Sequence, residues 1–283
     1  MMEIQSVGVV GAGTMGHGIA QVAAQAGYQT LLYDVTPELA QGGLRRIAEN
    51  LQRGIDKGKV KLETRDATLG RLKAVADLRE LAQCGMLIEA IPEDLGLKRA
   101  TFEKLSEICS AHTILASNTS SLSLTQIAAA ASQPERVVGM HFFNPVHIMR
   151  LLEIVRADRT SDATVEAVRQ VAARLGKETI VVRDRPGFAS SRLGVALGLE
   201  AVRMVEEGVA SPQDIDRAME LGYGYPMGPL KLGDLVGLDV RLAISEYLFQ
   251  ELGSDVFKPP KLLKDLVRAG KLGRKTGEGF YKY

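Results

Sequence analysis

SVGVVGAGTMGHGIA, residues 6–20, is an apolar run that ends in glycines and then takes on helical spacing. Its first half reads as a buried strand. HGIAQVAAQAG (17–27) continues as a helix, and TLLYD (30–34) is a second strand-like run. Strand, helix and strand in quick succession open a parallel sheet, because parallel neighbours need a crossover between them. Gly11, Gly13 and Gly16 match G-x-G-x-x-G, but with 29 glycines in 283 residues roughly 0.3 such matches are expected by chance. The context makes the match informative. It directly follows a strand and opens a helix, where missing Cβ atoms let backbone N–H groups approach a pyrophosphate at the positive end of the helix. Asp34, 23 residues after Gly11, stands at the end of the second strand. There its carboxylate can accept hydrogen bonds from an adenosine ribose diol and repel a 2′-phosphate, so the expected cofactor is NAD rather than NADP.

Outward from this loop, a long polar helical stretch starts at Pro37 and runs through residue 60, which suggests a protruding helix pair. Further apolar strands are expected at 86–91, 113–117, 137–143, 151–155 and 179–182, with helices at 97–109, 123–131 and 161–175. This alternation predicts an α/β domain, a Rossmann-type, mostly parallel sheet covered by helices, over residues 1–185. After DRPG (184–187) the strand signals stop, and residues 186–283 read as an all-helical C-terminal domain. Ser211-Pro212-Gln213-Asp214 supplies a capping hydroxyl, a first-turn proline and an acid for a helix start. The apolar surfaces of these helices exceed what one small bundle needs, so a homodimer is expected.

Composition narrows the partners. The chain has 35 basic and 34 acidic side chains, intermingled and without a basic block, which leaves nucleic acid no electrostatic footprint. No run approaches the ~18 apolar residues of a membrane span, and the N-terminal stretch lacks a signal-peptide pattern, so a cytoplasmic protein without membrane contact is expected. Cys84 and Cys109 show no metal-ligand or redox spacing and are expected to be buried thiols.

The stretch VVGMHFFNPV (137–146) sets His141 at the end of an apolar strand, before an Asn-Pro stop. A lone histidine on such a strand is usually a core residue. Two features argue otherwise. The strand belongs to a dinucleotide-binding sheet, whose substrates gather beyond the carboxyl ends of strands. Glu153 lies inside the apolar run LLEIV (151–155), where an unpaired carboxylate would cost several kcal/mol, so it needs a partner, and an imidazole N–H is a suitable one. SNTSS (117–121) adds hydroxyl and amide groups after a neighbouring strand. A histidine held by a glutamate beside a nicotinamide can oxidise an alcohol, taking the hydroxyl proton while hydride leaves the carbon. His17, His112 and His147 have no ligand spacing, and no metal is expected.

GAGTMG (11–16), ASNTSSLSLT (116–125), GMHFFNPV (139–146), RPGF (185–188), YPMGPLKLGDLVGLD (225–239) and GRKTGEGFYKY (273–283) together resemble the L-3-hydroxyacyl-CoA dehydrogenases, in particular the bacterial 3-hydroxybutyryl-CoA type. The resemblance covers essentially the whole chain. It implies an acyl-CoA substrate, with His141 as catalytic base, Glu153 orienting it and Ser120 as a hydroxyl touching substrate and cofactor. It further implies that Glu93, Lys98, Asn144 and Lys275 lie along NAD and that Lys57 meets the CoA phosphates. By sequence alone Glu93, Lys98 and Lys57 read as solvated charges. The chain departs from the family at GFASSR (187–192), where the usual GF-x-x-N-R places an asparagine against the substrate and Ser191 stands here instead. Two alternatives stay open on the residues: a dehydrogenase of a non-CoA 3-hydroxy acid or sugar acid, and a catalytically idle NAD-binding protein of the crystallin kind.

Overall fold

The computed structural model describes residues 4–283. The opening run forms β1 (Ser6–Val10), α1 (Thr14–Gln25) and β2 (Gln29–Tyr33), with β2 parallel to β1. Then come α2 (Pro37–Asp56) and α3 (Leu62–Leu69). The helical stretch expected through residue 60 therefore breaks after Asp56, and the pair is completed by α3. Of α2, only Ala40, Gly43, Ile47 and Leu51 are buried, so the helix is amphipathic with a wide solvated face. β3 (Leu72–Val75) adds to β2, and its four residues, one of them a lysine, carry too little alternation to be read from sequence.

β4 (Met86–Glu89), α4 (Leu95–Ile108), β5 (Ile114–Ser117), α5 (Leu124–Ala128), β6 (Val137–Phe142), β7 (Leu151–Arg156), α6 (Asp162–Arg174) and β8 (Glu178–Arg183) complete the first part of the chain. The eight strands form one sheet in the order β3-β2-β1-β4-β5-β6-β7-β8. Every neighbouring pair is parallel except β6 and β7, which are joined through residues 143–150 and run antiparallel. After β1 the chain builds outward to β3 and then returns to place β4 on the other side of β1. That reversal opens a crevice beyond the carboxyl ends of β1 and β4.

β4, β5 and β6 are buried along their whole length, which accounts for their near-continuous apolar sequences. Val9, Ile19, Leu32, Ile88, Met140 and Ile154 are among the side chains that form the core between sheet and helices. Against this background the polar residues inside strands stand out: Glu89, Ser117, His141 and Glu153 are all buried.

The chain divides after Arg185 into two compact units. The second holds α7 (Ser190–Glu206), α8 (Pro212–Gly222), α9 (Pro229–Val236), α10 (Leu238–Leu252) and α11 (Lys261–Arg268) around Leu199, Val202, Ile215, Leu230 and Leu248. Ser211 caps α8, its Oγ accepting from Asp214 N at 3.1 Å. Two fully buried aspartates fix the last residues of the chain. Asp216 accepts from Leu230 N, Lys231 N and the Tyr281 hydroxyl at 2.8, 2.9 and 2.6 Å, and Asp234 accepts from Phe280 N and Tyr281 N at 3.0 and 2.9 Å. Neither carboxylate was singled out in the sequence, where each sits in an ordinary amphipathic helix.

Candidate active site

Gly11 lies just past the end of β1 with φ of +98°, a backbone conformation that strains any side chain, and a Cβ there would stand 2.7 Å from Ala90 O. At Gly16 a Cβ would meet Gly11 O at 1.7 Å, so the first turn of α1 lies directly on the loop. Around Gly13, by contrast, a Cβ would have nothing within 4 Å. Thr36, Asp94, Ser123 and Ser161 cap α2, α4, α5 and α6 with a side-chain oxygen. α1 begins at Gly13 with no such cap, so its first N–H groups face the approach that Gly13 leaves clear. A pyrophosphate fits this arrangement.

Asp34 follows β2 immediately. Its Oδ2 accepts from Ala12 N and its Oδ1 from Val35 N, both at 2.7 Å, which pins the carboxylate beside the glycine loop. Two of its roughly four acceptor positions remain for a ribose diol. The loop is also held by side chains that sequence reading did not select. Arg46 of α2 donates to Ala12 O at 2.6 Å, and the His17 ring bonds Gly13 O through Nδ1 at 2.7 Å. Burial, with Arg46 nearby, lowers the His17 pKa despite that bond.

His141 and Glu153 face each other across the antiparallel β6 and β7 in direct register. His141 Nδ1 lies 2.6 Å from Glu153 Oε2, with His141 6% and Glu153 0% exposed. A carboxylate only accepts, so Nδ1 carries the hydrogen and Nε2 is the basic nitrogen of the neutral ring. The Phe143 ring packs on the imidazole at 4.6 Å between centroids. Asn118, just past β5, accepts from Phe142 N at 2.9 Å and ties the 118–121 segment to the strand end that carries His141.

Within that segment Ser120 bonds Glu93, its N–H donating to Oε1 at 2.9 Å and its hydroxyl at 3.3 Å. The reading of Lys98 as a solvated charge is overturned. It is 1% exposed, and its ammonium sits 2.6 Å from Glu89 Oε1 and 3.3 Å from Glu93 Oε2. Leucine neighbours and helical spacing hid this: Lys98 falls on the buried face of α4, toward the carboxyl end of β4. Glu93 is partly open, its side chain 37% exposed. Burial pushes its pKa up, but Lys98 and the donors of residues 119 and 120 outweigh this and hold the carboxyl below its usual range.

Lys57, at the end of α2, is solvated as expected, and Asn144 is exposed before a cis peptide bond to Pro145. Lys275 lies 2.6 Å from Asp239 in the second unit and outweighs the effect of burial on that carboxyl, lowering its pKa. Ser191 is half-buried in the first turn of α7. Cys109, expected to be buried, is only half so because it closes α4, while Cys84 is buried; both are free, and burial pushes both thiols up to about 11. Among the described residues no group of three or more His, Cys, Asp or Glu side chains is placed to hold a metal ion, and no helix is long and apolar enough to cross a membrane.

Residues 6–185 match the model of the 3-hydroxyacyl-CoA dehydrogenase NAD binding domain, and residues 187–283 match that of the 3-hydroxyacyl-CoA dehydrogenase C-terminal domain. The chain belongs to the 3-hydroxyacyl-CoA dehydrogenase family. It is thus an NAD-dependent oxidoreductase. Among this family it is 46% identical over 282 residues to a probable 3-hydroxybutyryl-CoA dehydrogenase of Bacillus subtilis, covering 100% of this chain and 98% of that protein. Its structure is similar to that of Mycobacterium tuberculosis FadB2, with a TM-score of 0.96 and 43% identity over 99% of both chains. It is also similar to the (S)-3-hydroxybutyryl-CoA dehydrogenase PaaH1 of Ralstonia eutropha, with a TM-score of 0.95 and 41% identity over 99% of both.

Proposed function

We propose that this 3-hydroxyacyl-CoA dehydrogenase interconverts 3-hydroxybutyryl-CoA and acetoacetyl-CoA, with His141 as the acid and base. The observation that carries the reading is the buried 2.6 Å contact of His141 Nδ1 with Glu153, at the carboxyl end of a strand in the sheet that bears the glycine loop. In the oxidative direction His141 Nε2 takes the proton of the 3-hydroxyl as the C–O double bond forms. Glu153 keeps the ring in the Nδ1–H tautomer and stabilises the imidazolium that results. NAD, when bound, supplies the acceptor for the hydride that leaves C3. In reverse the imidazolium returns its proton to the alkoxide oxygen. Ser120, fixed by Glu93, offers its hydroxyl on the substrate side, and Lys57 offers a solvated ammonium to CoA phosphates. Glu93, Lys98, Asn144 and Lys275 are assigned to the cofactor side, Lys98 through Glu93 because its own ammonium is spent within the protein.

The second unit is read as the substrate-binding and dimerisation part. Leu193, Leu221 and Tyr223 are 72%, 74% and 77% exposed, which suits a surface covered by a second copy. Its setting is proposed to be the cytoplasm, in keeping with two free thiols. Forward turnover tests the substrate: NADH should form from 3-hydroxybutyryl-CoA with a kcat/KM at least ~10-fold above that for a long-chain 3-hydroxyacyl-CoA. The reverse preference would move the assignment to another acyl chain.

Asp34 sets the expectation for cofactor choice. Asp34→Ala should narrow the preference for NADH over NADPH, chiefly through weaker NADH binding, because a charged hydrogen-bond acceptor contributes about 1.5–3 kcal/mol. Comparable use of NADPH and NADH by the unaltered enzyme would contradict the ribose assignment.

Ser191 sets a third. A serine is shorter than the family's asparagine and lacks its amide donor, so contact with the substrate is lost or passes through water. Ser191→Ala should lower kcat/KM by no more than ~10-fold, and Ser191→Asn should favour short acyl chains. A profile over chain length that does not change in Ser191→Asn would remove Ser191 as a determinant of specificity.

A further inference from the structure

Glu89 is the last residue of β4, in register with Val10 of β1 on one side and Ser117 of β5 on the other, and it is 0% exposed. A carboxylate in the middle of a sheet, with both neighbouring strands in place, is costly unless fully bonded. It is well supplied. Oε1 accepts from Lys98 Nζ at 2.6 Å and from Ile91 N at 2.8 Å, and Oε2 accepts from the Ser117 hydroxyl at 2.7 Å.

Both partners lead to the same place. Lys98 extends to Glu93 Oε2 at 3.3 Å, and Glu93 Oε1 accepts from Thr119 Oγ1 at 2.6 Å and from the N–H groups of Ser120 and Ser121 at 2.9 and 3.2 Å. Ser117 Oγ accepts from Thr119 N at 3.2 Å. The segment 117–121 is thus held at one end through Ser117 and along its turn through Lys98 and Glu93, and both routes start at Glu89. Stability alone does not account for the arrangement, since an apolar pair of similar volume in place of a buried ion pair is commonly neutral or stabilising. What the ion pair adds is a fixed position for the Lys98 ammonium, and so for Glu93.

We propose that Glu89 is a positioning residue: acting through Lys98, Glu93 and Ser117, it sets the backbone of residues 119–121 and the Ser120 hydroxyl. The catalytic consequence rests on the role assigned above to Ser120. Loss of the Glu89 charge leaves Lys98 to be neutralised by Glu93 alone, which draws that carboxylate away from the N–H groups it accepts. Loss of the Ser117 hydroxyl releases Thr119 N and takes one donor from Glu89 Oε2, while Glu89 keeps its pairing with Lys98.

Three variants test this: Glu89→Gln, the pair Glu89→Gln with Lys98→Met, and Ser117→Ala. Each is measured for melting temperature, for kcat and KM with acetoacetyl-CoA, and for hydrogen exchange at the amides of residues 119–121. Amide exchange in that segment should rise at least ~10-fold in all three. The kcat should fall ~10-fold or more in the two Glu89 variants and ~3-fold or more in Ser117→Ala, with KM little changed. The doubly substituted protein, which has no unpaired charge of the Glu89–Lys98 pair, should regain melting temperature relative to Glu89→Gln without regaining kcat. Recovery of kcat in step with melting temperature, or a Ser117→Ala protein with unaltered kcat, would reduce Glu89 to a structural residue. The exchange measurement stands apart from the reaction. An unaltered protein that is inactive on acetoacetyl-CoA would overturn the proposed substrate, while unchanged exchange in the variants would overturn the role of Glu89.

Discussion

Replacement of His141 by alanine is expected to lower kcat by at least ~100-fold and to leave the NADH dissociation constant nearly unchanged, since general acid and base catalysis contributes about 10²–10⁴-fold. The alanine variant also leaves Glu153, at 0% exposure, without its imidazole partner, so part of any loss could come from the fold. His141→Gln separates the two effects, because an amide N–H can still donate to Glu153 while no base remains. It should melt close to the unaltered protein and lose as much kcat as the alanine variant. Glu153→Gln should lose less, as it keeps a hydrogen-bonding oxygen but not the charge that stabilises imidazolium. Single-turnover kinetics with NADH and acetoacetyl-CoA reads all three. A His141→Gln enzyme within about tenfold of full activity would return the histidine to a structural role.

Gly16→Ala is expected to raise the NADH dissociation constant by at least ~100-fold. The added Cβ would stand 1.7 Å from Gly11 O, so either the loop or the first turn of α1 must move. Hydrogen bonds to charged groups contribute about 1.5–3 kcal/mol each, and losing two at the pyrophosphate would account for that factor. Unit 1 has a large core beyond the loop, built on Ile19, Leu32, Met140 and Ile154, and the protein should remain folded. Fluorescence titration with NADH gives the result directly. Affinity within about threefold of the unaltered enzyme would mean that the phosphates do not sit on this helix end.

The parts of the fold that rest on continuous apolar runs were legible in the sequence. β1, β4, β5, β6 and β7 lie where such runs predict strands, because burial on both faces leaves no choice of residue. β3 escaped detection because an edge strand of four residues gains its conformation from its neighbour rather than from its own pattern. In the site, the pairing of His141 with Glu153 could be argued from one fact, a carboxylate inside an apolar strand. Glu89, inside the apolar run MLIEAI, carries the same signal. Lys98 was harder. A lysine on an amphipathic helix normally reaches solvent, and only the tertiary placement of α4 turns it inward onto Glu89. Arg46 is similar, since its bond to Ala12 O depends on how α2 crosses the glycine loop.

Reduction of a 3-oxoacyl-CoA through the His141–Glu153 pair is read from the rate of NADH oxidation with acetoacetyl-CoA compared with free acetoacetate. Turnover of the thioester should be rapid, with kcat/KM at least ~1,000-fold above that for the free acid, because binding energy from the CoA portion is used to orient the reacting carbonyl. Equal rates on the two, or turnover of neither, would contradict it.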